Sequence, residues 1–134
     1  MAQAIHNIAF SLEHGAHNHP NQTAIVESHS GASVSFRELN DESSCIASGL
    51  NKYGLKKGDR VLLFLPFSIR FISLAFSLFK AGVVPILIDP GLGKKNILKC
   101  IRETEPHGII ATPIVHLISN FFPKYFRNLK YKIC

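Results

Sequence analysis

The sequence has no tryptophan, one methionine and three cysteines among its 134 residues. Cys45, Cys100 and Cys134 are too few and too widely spaced for a disulfide scaffold, so we expect reduced thiols and a cytoplasmic protein. The first residues lack the charged and then apolar pattern of a cleaved signal peptide. Hydrophobic residues make up 46% of the chain and charged residues 18%, which excludes a disordered chain. The length predicts one domain over residues 1–134.

The formal net charge of the chain is +6, and the positive charge is uneven because no acidic residue follows Glu105. The final segment carries four unbalanced basic residues, which are Lys124, Arg127, Lys130 and Lys132. Five aromatic residues are interleaved with them from Phe121 to Tyr131. Such a pattern can bind single-stranded nucleic acid. Four charges make a weak electrostatic footprint, however, so we favour a final amphipathic helix and strand and expect no nucleic-acid partner.

Three apolar runs without alternation predict strands that are buried on both faces, as in a parallel sheet. They are Val61–Leu65, Val83–Ile88 and Ile109–Ala111. Helices are predicted between and after them, at residues 69–81, 94–103 and 114–122, and residues 130–134 predict the start of another strand. The alternation predicts an α/β protein with a layered, mainly parallel sheet flanked by helices.

The chain before these runs predicts two helices and two short strands. Ile5, Ile8, Leu12 and Ala16 recur at helical spacing and predict a helix over residues 5–17, followed by strands at residues 24–26 and at Val34. Ser35 and Glu38 have the spacing of a capping box, and Gly54 follows the last residue of an apolar face. A helix over residues 36–53 is therefore predicted.

The segment 67–88 is apolar and long enough to cross a membrane. Its polar residues, however, form one stripe along a helix, which we expect to face water: Arg70, Ser73, Ser77 and Lys80. Gly82 and Pro85 also interrupt the segment. The sequence therefore predicts no transmembrane helix.

Two groups of residues have features of a binding site. His14, His17 and His19 could supply imidazole ligands, but their spacing does not bring all three to one helix face, so a solvated helix end is predicted. His107 and His116 are isolated and predict positions at the core edge or surface.

The other group, Asp89–Lys94, joins a predicted strand to a predicted helix, where phosphates bind in α/β sheets. Asn96 replaces the last glycine of a dinucleotide fingerprint, and Lys95 replaces the Ser or Thr of a P-loop. A plain turn is therefore favoured, and the residues alone show no catalytic, cofactor-binding or metal-binding constellation.

The order of motifs resembles the amino-terminal region of adenylate-forming enzymes, the AMP-dependent synthetases and ligases. Val34–Leu39 is similar to their first core motif, with Phe36 in place of the usual tyrosine, and Gly58–Val61 matches the turn into their first buried strand. Leu78–Pro90 resembles the second core motif, and Leu87–Gly93 is most similar to the fatty-acyl branch that includes the olefin β-lactone synthetases. The resemblance covers most of the chain.

This resemblance implies an ATP- and magnesium-dependent enzyme that activates a fatty acid or a β-hydroxy fatty acid as an acyl-adenylate. Family members depend on a phosphate loop ending in Pro-Lys-Gly and on a lysine of a small carboxy-terminal domain, neither of which occurs in these residues. The matched motifs are structural in the family, so no catalytic or ligand role transfers to any residue. We expect a truncated amino-terminal part, inactive alone and prone to self-association.

Two other functions are compatible with the residues. One is a free-standing nucleotide- or anion-binding α/β module that uses the Gly91–Lys94 turn. The other is an interaction or membrane-peripheral domain that uses the basic, aromatic carboxy terminus.

Overall fold

A computed structural model describes residues 7–134, which divide into two compact units. The first comprises residues 7–55 and 67–81, and the second comprises residues 56–66 and 82–134. The predicted α/β class is confirmed, with helices and strands close to the positions that the sequence patterns indicate.

The first unit contains three helices and one antiparallel strand pair. In chain order its elements are α1 (Ala9–Asn18), β1 (Thr23–Val26), β2 (Ser33–Ser35), α2 (Phe36–Tyr53) and α3 (Ile69–Lys80). Ile25 of β1 lies opposite Val34 of β2. All three helices contact one another.

Helix α2 has the boundaries that its capping signals predict. The Glu38 amide donates to Ser35 Oγ at 3.3 Å, and the Ser35 amide donates to Glu38 Oε2 at 2.8 Å. These bonds from the Ser35 amide, and then from its hydroxyl, hold the pKa of the Glu38 carboxyl below its usual value. Gly54 ends the helix with φ of 116°, a left-handed conformation that glycine adopts without strain.

Helix α1 begins later than predicted and buries different residues. Residues 5 and 6 lie outside the described part of the chain, and Ile8 precedes the helix with 54% of its surface exposed. The Ala9 amide donates to Asn7 Oδ1 at 3.0 Å, which fixes the helix start after Ile8. The buried face therefore consists of Ala9 and Leu12.

The prediction that the polar stripe of α3 faces water is confirmed for Arg70, which is exposed, and is wrong for the two serines. Ser73 and Ser77 are completely buried, and Ser77 Oγ donates to the Ser73 carbonyl at 2.6 Å. A serine that bonds the preceding turn satisfies its own hydroxyl, and its small volume lets helices approach closely. Lys80 is half-buried, and its Nζ donates to Oδ1 of Asn40 and Oγ of Ser44 in α2, each at 2.7 Å. This burial lowers the pKa of Lys80.

The second unit is built on a parallel sheet. Its strands are β3 (Arg60–Phe64), β4 (Val84–Leu87), β5 (Gly108–Ala111) and β6 (Tyr131–Ile133), in the spatial order β4-β3-β5-β6. All three strand pairs are parallel, with Leu62 aligned to Ile86 and Ile109, and Ile109 to Lys132. The predicted strand at residues 130–134 is thus confirmed.

Strands β3 and β5 are buried on both faces as predicted, but β4 is not. Val84 and Leu87 of β4 are 48% and 52% exposed, whereas every residue of β5 is buried. The difference follows from the strand order, because β4 has one neighbouring strand and β5 has two. A continuous apolar run therefore does not distinguish a central strand from an edge strand.

Two helices flank this sheet, as the strand and helix pattern predicts. They are α4 (Lys94–Thr104) and α5 (Pro113–Phe121). Ile97 of α4 and Val115 of α5 pack against a core that the sheet and α4 form from Leu62, Ile109, Ala111 and Ile101.

The apolar segment at residues 67–88 divides into α3, a turn and β4. Over residues 7–134, no helix combines the length and the apolar character that a membrane span requires.

Candidate functional site

The turn between β4 and α4 is closed by bonds among its own residues. Asp89 Oδ1 accepts the Gly91 amide at 2.8 Å, and Asn96 Nδ2 donates to the Leu92 carbonyl at 3.0 Å. Residues Pro90–Leu92 form one 3-10 turn, and Gly93, with φ of 76°, leads into α4. Glycine is required at Gly93 because other residues rarely adopt this positive φ.

These contacts do not make a phosphate cradle. The Gly91 amide, which a phosphate would need, already donates to a carboxylate, and that negative charge opposes an anion. Asn96, at the position where a dinucleotide fingerprint has glycine, bonds the turn instead. The described residues of this turn therefore do not fit the phosphates of ATP with magnesium, and the plain strand-to-helix turn is the better interpretation.

Beside the turn lies an apolar cavity of about 340 Å³. Lys94 is its one charged lining residue, and the rest of the lining comes mainly from the sheet, α4 and α5, including Leu62, Ile97, Ile118 and Phe126. No sequence pattern predicted this cavity. The apolar face of α4 and the second amphipathic helix that follows it indicate that both helices pack on the sheet. A sequence pattern does not show whether that packing leaves a cavity.

The residues that match the turn of the family motif have structural contacts. Arg60 Nε donates to the Thr104 carbonyl at 2.7 Å and Nη2 to the Glu105 carbonyl at 3.1 Å, so the guanidinium binds the carboxyl end of α4. The Arg60 amide donates to His107 Nδ1 at 3.0 Å, which places the half-buried His107 at the core edge, as predicted. His116 is also half-buried and lies 2.8 Å, Nε2 to oxygen, from the Ile133 carbonyl.

His14, His17 and His19 are exposed, in agreement with a solvated helix end. The His14 ring contacts the Asn18 side-chain amide at 2.9 Å. Among residues 7–134, no three His, Cys, Asp or Glu side chains are placed to hold a metal ion together.

The basic, aromatic carboxy-terminal segment is partly used by the core. Tyr125 and Phe126 pack against the sheet core, whereas Phe121 is 74% exposed. Lys132 Nζ donates to Asn120 Oδ1 of α5 at 2.6 Å. The aromatic residues therefore do not form one continuous exposed face of the kind on which bases stack.

The model of the AMP-binding enzyme family matches residues 12–126 of this chain. The match includes both core motifs and all elements from α2 to α5. The chain therefore belongs to the AMP-binding family of adenylate-forming enzymes.

Individual relatives agree with this assignment. An olefin β-lactone synthetase of Xanthomonas campestris pv. campestris is 38% identical over 83% of this chain and 22% of its own length. A mitochondrial medium-chain acyl-CoA ligase of Rattus norvegicus is 28% identical over 90% of this chain and 18% of its own length. The chain thus spans about a fifth of the length of the curated relatives it matches.

Solved structures share the fold. A fatty acyl-CoA synthetase of Mycobacterium tuberculosis superimposes with a TM-score of 0.80 at 24% identity, over 95% of this chain and 26% of that one. An inhibitor-bound N-terminal domain of FACL13 from the same organism gives a TM-score of 0.81 over 95% of this chain and 33% of that domain. The α/β fold is therefore that of the amino-terminal subdomain of these enzymes.

Proposed function

We propose that these 134 residues form the amino-terminal part of an AMP-binding domain that activates a fatty acid or a β-hydroxy fatty acid with ATP and magnesium. The observation that carries the proposal is the family match over residues 12–126. The choice of acid is supported by the olefin β-lactone synthetase and acyl-CoA ligase relatives.

Within this function the 134 residues have a scaffold role. The Ser35 and Glu38 pair starts a helix, Arg60 binds the end of α4, and Lys80 joins two helices. Each motif that resembles the family is thus engaged in holding the fold. Attack of a carboxylate on a phosphate requires donors and a cation that are arranged around the reacting oxygens. We place those groups in the phosphate loop and carboxy-terminal domain, outside these residues.

Isotope exchange of pyrophosphate into ATP tests this division of roles. The purified chain, with magnesium and a panel of fatty and β-hydroxy fatty acids, is expected to show no acid-dependent exchange above the control without acid. Acid-dependent exchange that is lost in Lys94→Ala would contradict the scaffold role and support a nucleotide-binding turn.

The family role is tested separately in the gene. Translation of the DNA beyond the codon for Cys134, in all three frames, is expected to give a Ser/Thr/Gly-rich tract that ends in Pro-Lys-Gly. Absence of such a tract in every frame would refute the proposed relation to a longer acid-activating enzyme.

A further inference from the structure

Three basic side chains line one cavity at the carboxyl end of α4. The cavity has a volume of about 270 Å³ and is lined by six residues: Arg102, Glu105, Lys124, Tyr125, Arg127 and Asn128. Arg102 belongs to the last turn of α4, whereas Lys124 belongs to the 3-10 turn Pro123–Tyr125 that follows α5. All six residues lie in the second unit. We call Arg102, Lys124 and Arg127 the basic cluster.

Packing holds the backbone of the basic cluster in place. Tyr125 and Phe126 pack against the core of the sheet. Lys124 and Arg127 are their immediate neighbours in the sequence. The 3-10 turn also contacts α4, the helix on the other side of the cavity. The walls of the cavity are thus formed by anchored backbone, so a ligand does not have to order them when it binds.

The basic cluster is not neutralised by carboxylates. Among the described residues, no carboxylate oxygen lies within 4.0 Å of a charged nitrogen of the cluster. Glu103, which follows Arg102, lies 3.9 Å from Lys99 instead. Glu105 lines the cavity, but its carboxylate pairs with none of the three cations. The lining therefore carries three positive charges and one negative charge, a net charge of +2.

The end of α4 is compatible with a negative charge nearby. The last carbonyls of a helix carry partial negative charge, which opposes an anion. Here the Arg60 guanidinium donates to the carbonyls of Thr104 and Glu105 at 2.7 and 3.1 Å, which offsets that charge. Glu105 has a φ of 45°, and within residues 7–134 it is the one residue other than glycine with a positive φ. Strained backbone of this kind is concentrated at functional sites.

We propose that the basic cluster is a binding site for a phosphate monoester. Such a group carries nearly two negative charges at neutral pH and has three acceptor oxygens. The net charge of the cavity matches that of the dianion, and the cluster supplies one cation for each oxygen. Arg102 and Arg127 suit this role because a planar guanidinium binds two phosphate oxygens at once.

The site is separate from the turn between β4 and α4, and the inference does not rest on the proposed function. Lys94 begins α4 and Thr104 ends it, so eleven helical residues separate that turn from the cavity, a distance of roughly 16 Å along the helix. Arg60, which bonds the carbonyls at the cavity end of α4, is the first residue of β3. The cavity therefore lies toward the amino ends of the parallel strands, away from the edge where open α/β sheets bind substrates.

Isothermal titration calorimetry of the 134-residue chain with glycerol 3-phosphate tests the site. Arg102→Gln and Arg127→Gln are each expected to weaken binding about fivefold or more, because each removes a charge-assisted bond. Glu105→Gln is expected to tighten binding about threefold, because it removes the one repelling charge in the lining. A damaged fold does not produce tighter binding, so this variant keeps the test independent of misfolding. Dimethyl phosphate, a diester with one negative charge, is expected to bind about tenfold more weakly than the monoester.

Arg70→Gln and Lys94→Gln are the matched controls. Arg70 is exposed on α3, and Lys94 is the first residue of α4, so each variant removes one positive charge outside the cavity. Both are expected to bind within about twofold of the parent, since distant exposed charges are screened by salt. Four results would each overturn the proposal: no binding by the parent, equal losses in Arg70→Gln and Arg102→Gln, a loss confined to Lys94→Gln, or equal binding of the diester. Unchanged or weaker binding by Glu105→Gln would overturn it as well.

Vesicle sedimentation distinguishes a lipid from a soluble ester as the source of the phosphate. Phosphatidic acid carries the same monoester group, and it is presented in vesicles of phosphatidylcholine. Sedimentation with these vesicles that is lost in Arg102→Gln would support the site and assign the phosphate to a lipid headgroup. Calorimetric binding of glycerol 3-phosphate, with no more sedimentation than phosphatidylcholine alone gives, would support the site and assign it to a soluble phosphate ester.

Discussion

Alanine at Gly15 and alanine at Gly49 are expected to have opposite effects on stability. Both glycines lie inside helices, Gly15 in α1 and Gly49 in α2. A Cβ atom at Gly49 meets nothing within 4 Å, whereas one at Gly15 would lie 2.8 Å from Cδ1 and 2.9 Å from Cε1 of Phe36. Replacing either glycine by alanine therefore gives the same change of backbone entropy, but the new methyl group enters open space at Gly49 and occupied space at Gly15.

The magnitudes decide the sign. In a helix interior, replacing glycine by alanine raises the free energy of unfolding by about 0.5–1 kcal/mol. Gly49→Ala should show this full gain. At Gly15 the new methyl group overlaps an aromatic ring, and overpacking of this kind costs about 1–3 kcal/mol. The backbone that carries the ring is held in place, because Phe36 is the first residue of α2 and its amide donates to the Gln22 carbonyl at 3.0 Å. Gly15→Ala is therefore expected to lower stability by about 1 kcal/mol.

Urea unfolding followed by circular dichroism at 222 nm measures both changes. Phe36→Leu, combined with each glycine variant, completes the comparison, because the smaller side chain opens space at Gly15 only. We expect Gly15→Ala to become neutral or stabilising in that background, a coupling of about 1–2 kcal/mol, and Gly49→Ala to keep its effect. An increase in the urea midpoint of Gly15→Ala equal to that of Gly49→Ala would refute the packing of Phe36 against α1.

Four further outcomes follow from individual contacts. Ser35→Ala should lower the free energy of unfolding by about 1 kcal/mol through loss of the helix cap, and equal denaturation midpoints would contradict that helix start. Because the pKa of the Glu38 carboxyl is lowered in the fold, its carboxylate stabilises the fold above the unfolded pKa, and this contribution is lost as pH falls through the folded pKa. The urea midpoints of the parent and Glu38→Gln should therefore converge as acidification protonates the carboxyl, and a constant difference would count against the cap. Ser77→Leu should cost about 1–3 kcal/mol by overpacking and Ser77→Ala about 1 kcal/mol or less in urea unfolding, while the reverse order would show that the α3 serines are not buried. The isolated chain should enhance the fluorescence of a hydrophobic dye and associate with concentration, and Leu117→Asp should weaken both effects. An unresponsive dye would contradict the exposure of four apolar residues on one face of α5: Ile114, Leu117, Ile118 and Phe121.

Local signals predicted the boundaries of α2 because they act over a few residues. Ser35, Glu38 and Gly54 determine where that helix begins and ends through bonds within a single turn. The polarity of Ser73 and Ser77 gave a wrong prediction, since residue type does not show that a small hydroxyl side chain can be buried between helices. The Ser77 hydroxyl bonds the Ser73 carbonyl of its own helix.

Strand order and helix exposure were not accessible from the sequence. The apolar runs of β4 and β5 are similar, and only the sheet topology makes one an edge strand. At the candidate site, Asn96 already argued against a dinucleotide fingerprint, and the structure adds that it closes the turn. Ile114 and Leu117 recur at helical spacing, which predicts an apolar helix face. The spacing does not show whether that face is buried in these residues or exposed, as it is here.

The alignment of strands in the parallel sheet also has a kinetic consequence. Val61 aligns with Pro85 on one side and with Gly108 on the other, so the chain must close a loop of 24 residues to form β3–β4 and one of 47 residues to form β3–β5. Doubling a loop costs only about 0.6 kcal/mol of closure entropy. Pairing with β5 buries more apolar surface than pairing with β4, because β5 is fully buried and β4 is half-exposed. This additional burial offsets the larger entropy cost of the longer loop. We therefore expect the folding nucleus of the sheet to contain β3 and β5, the pair more distant in sequence, and the chain to fold slowly for its size because its decisive contact is non-local.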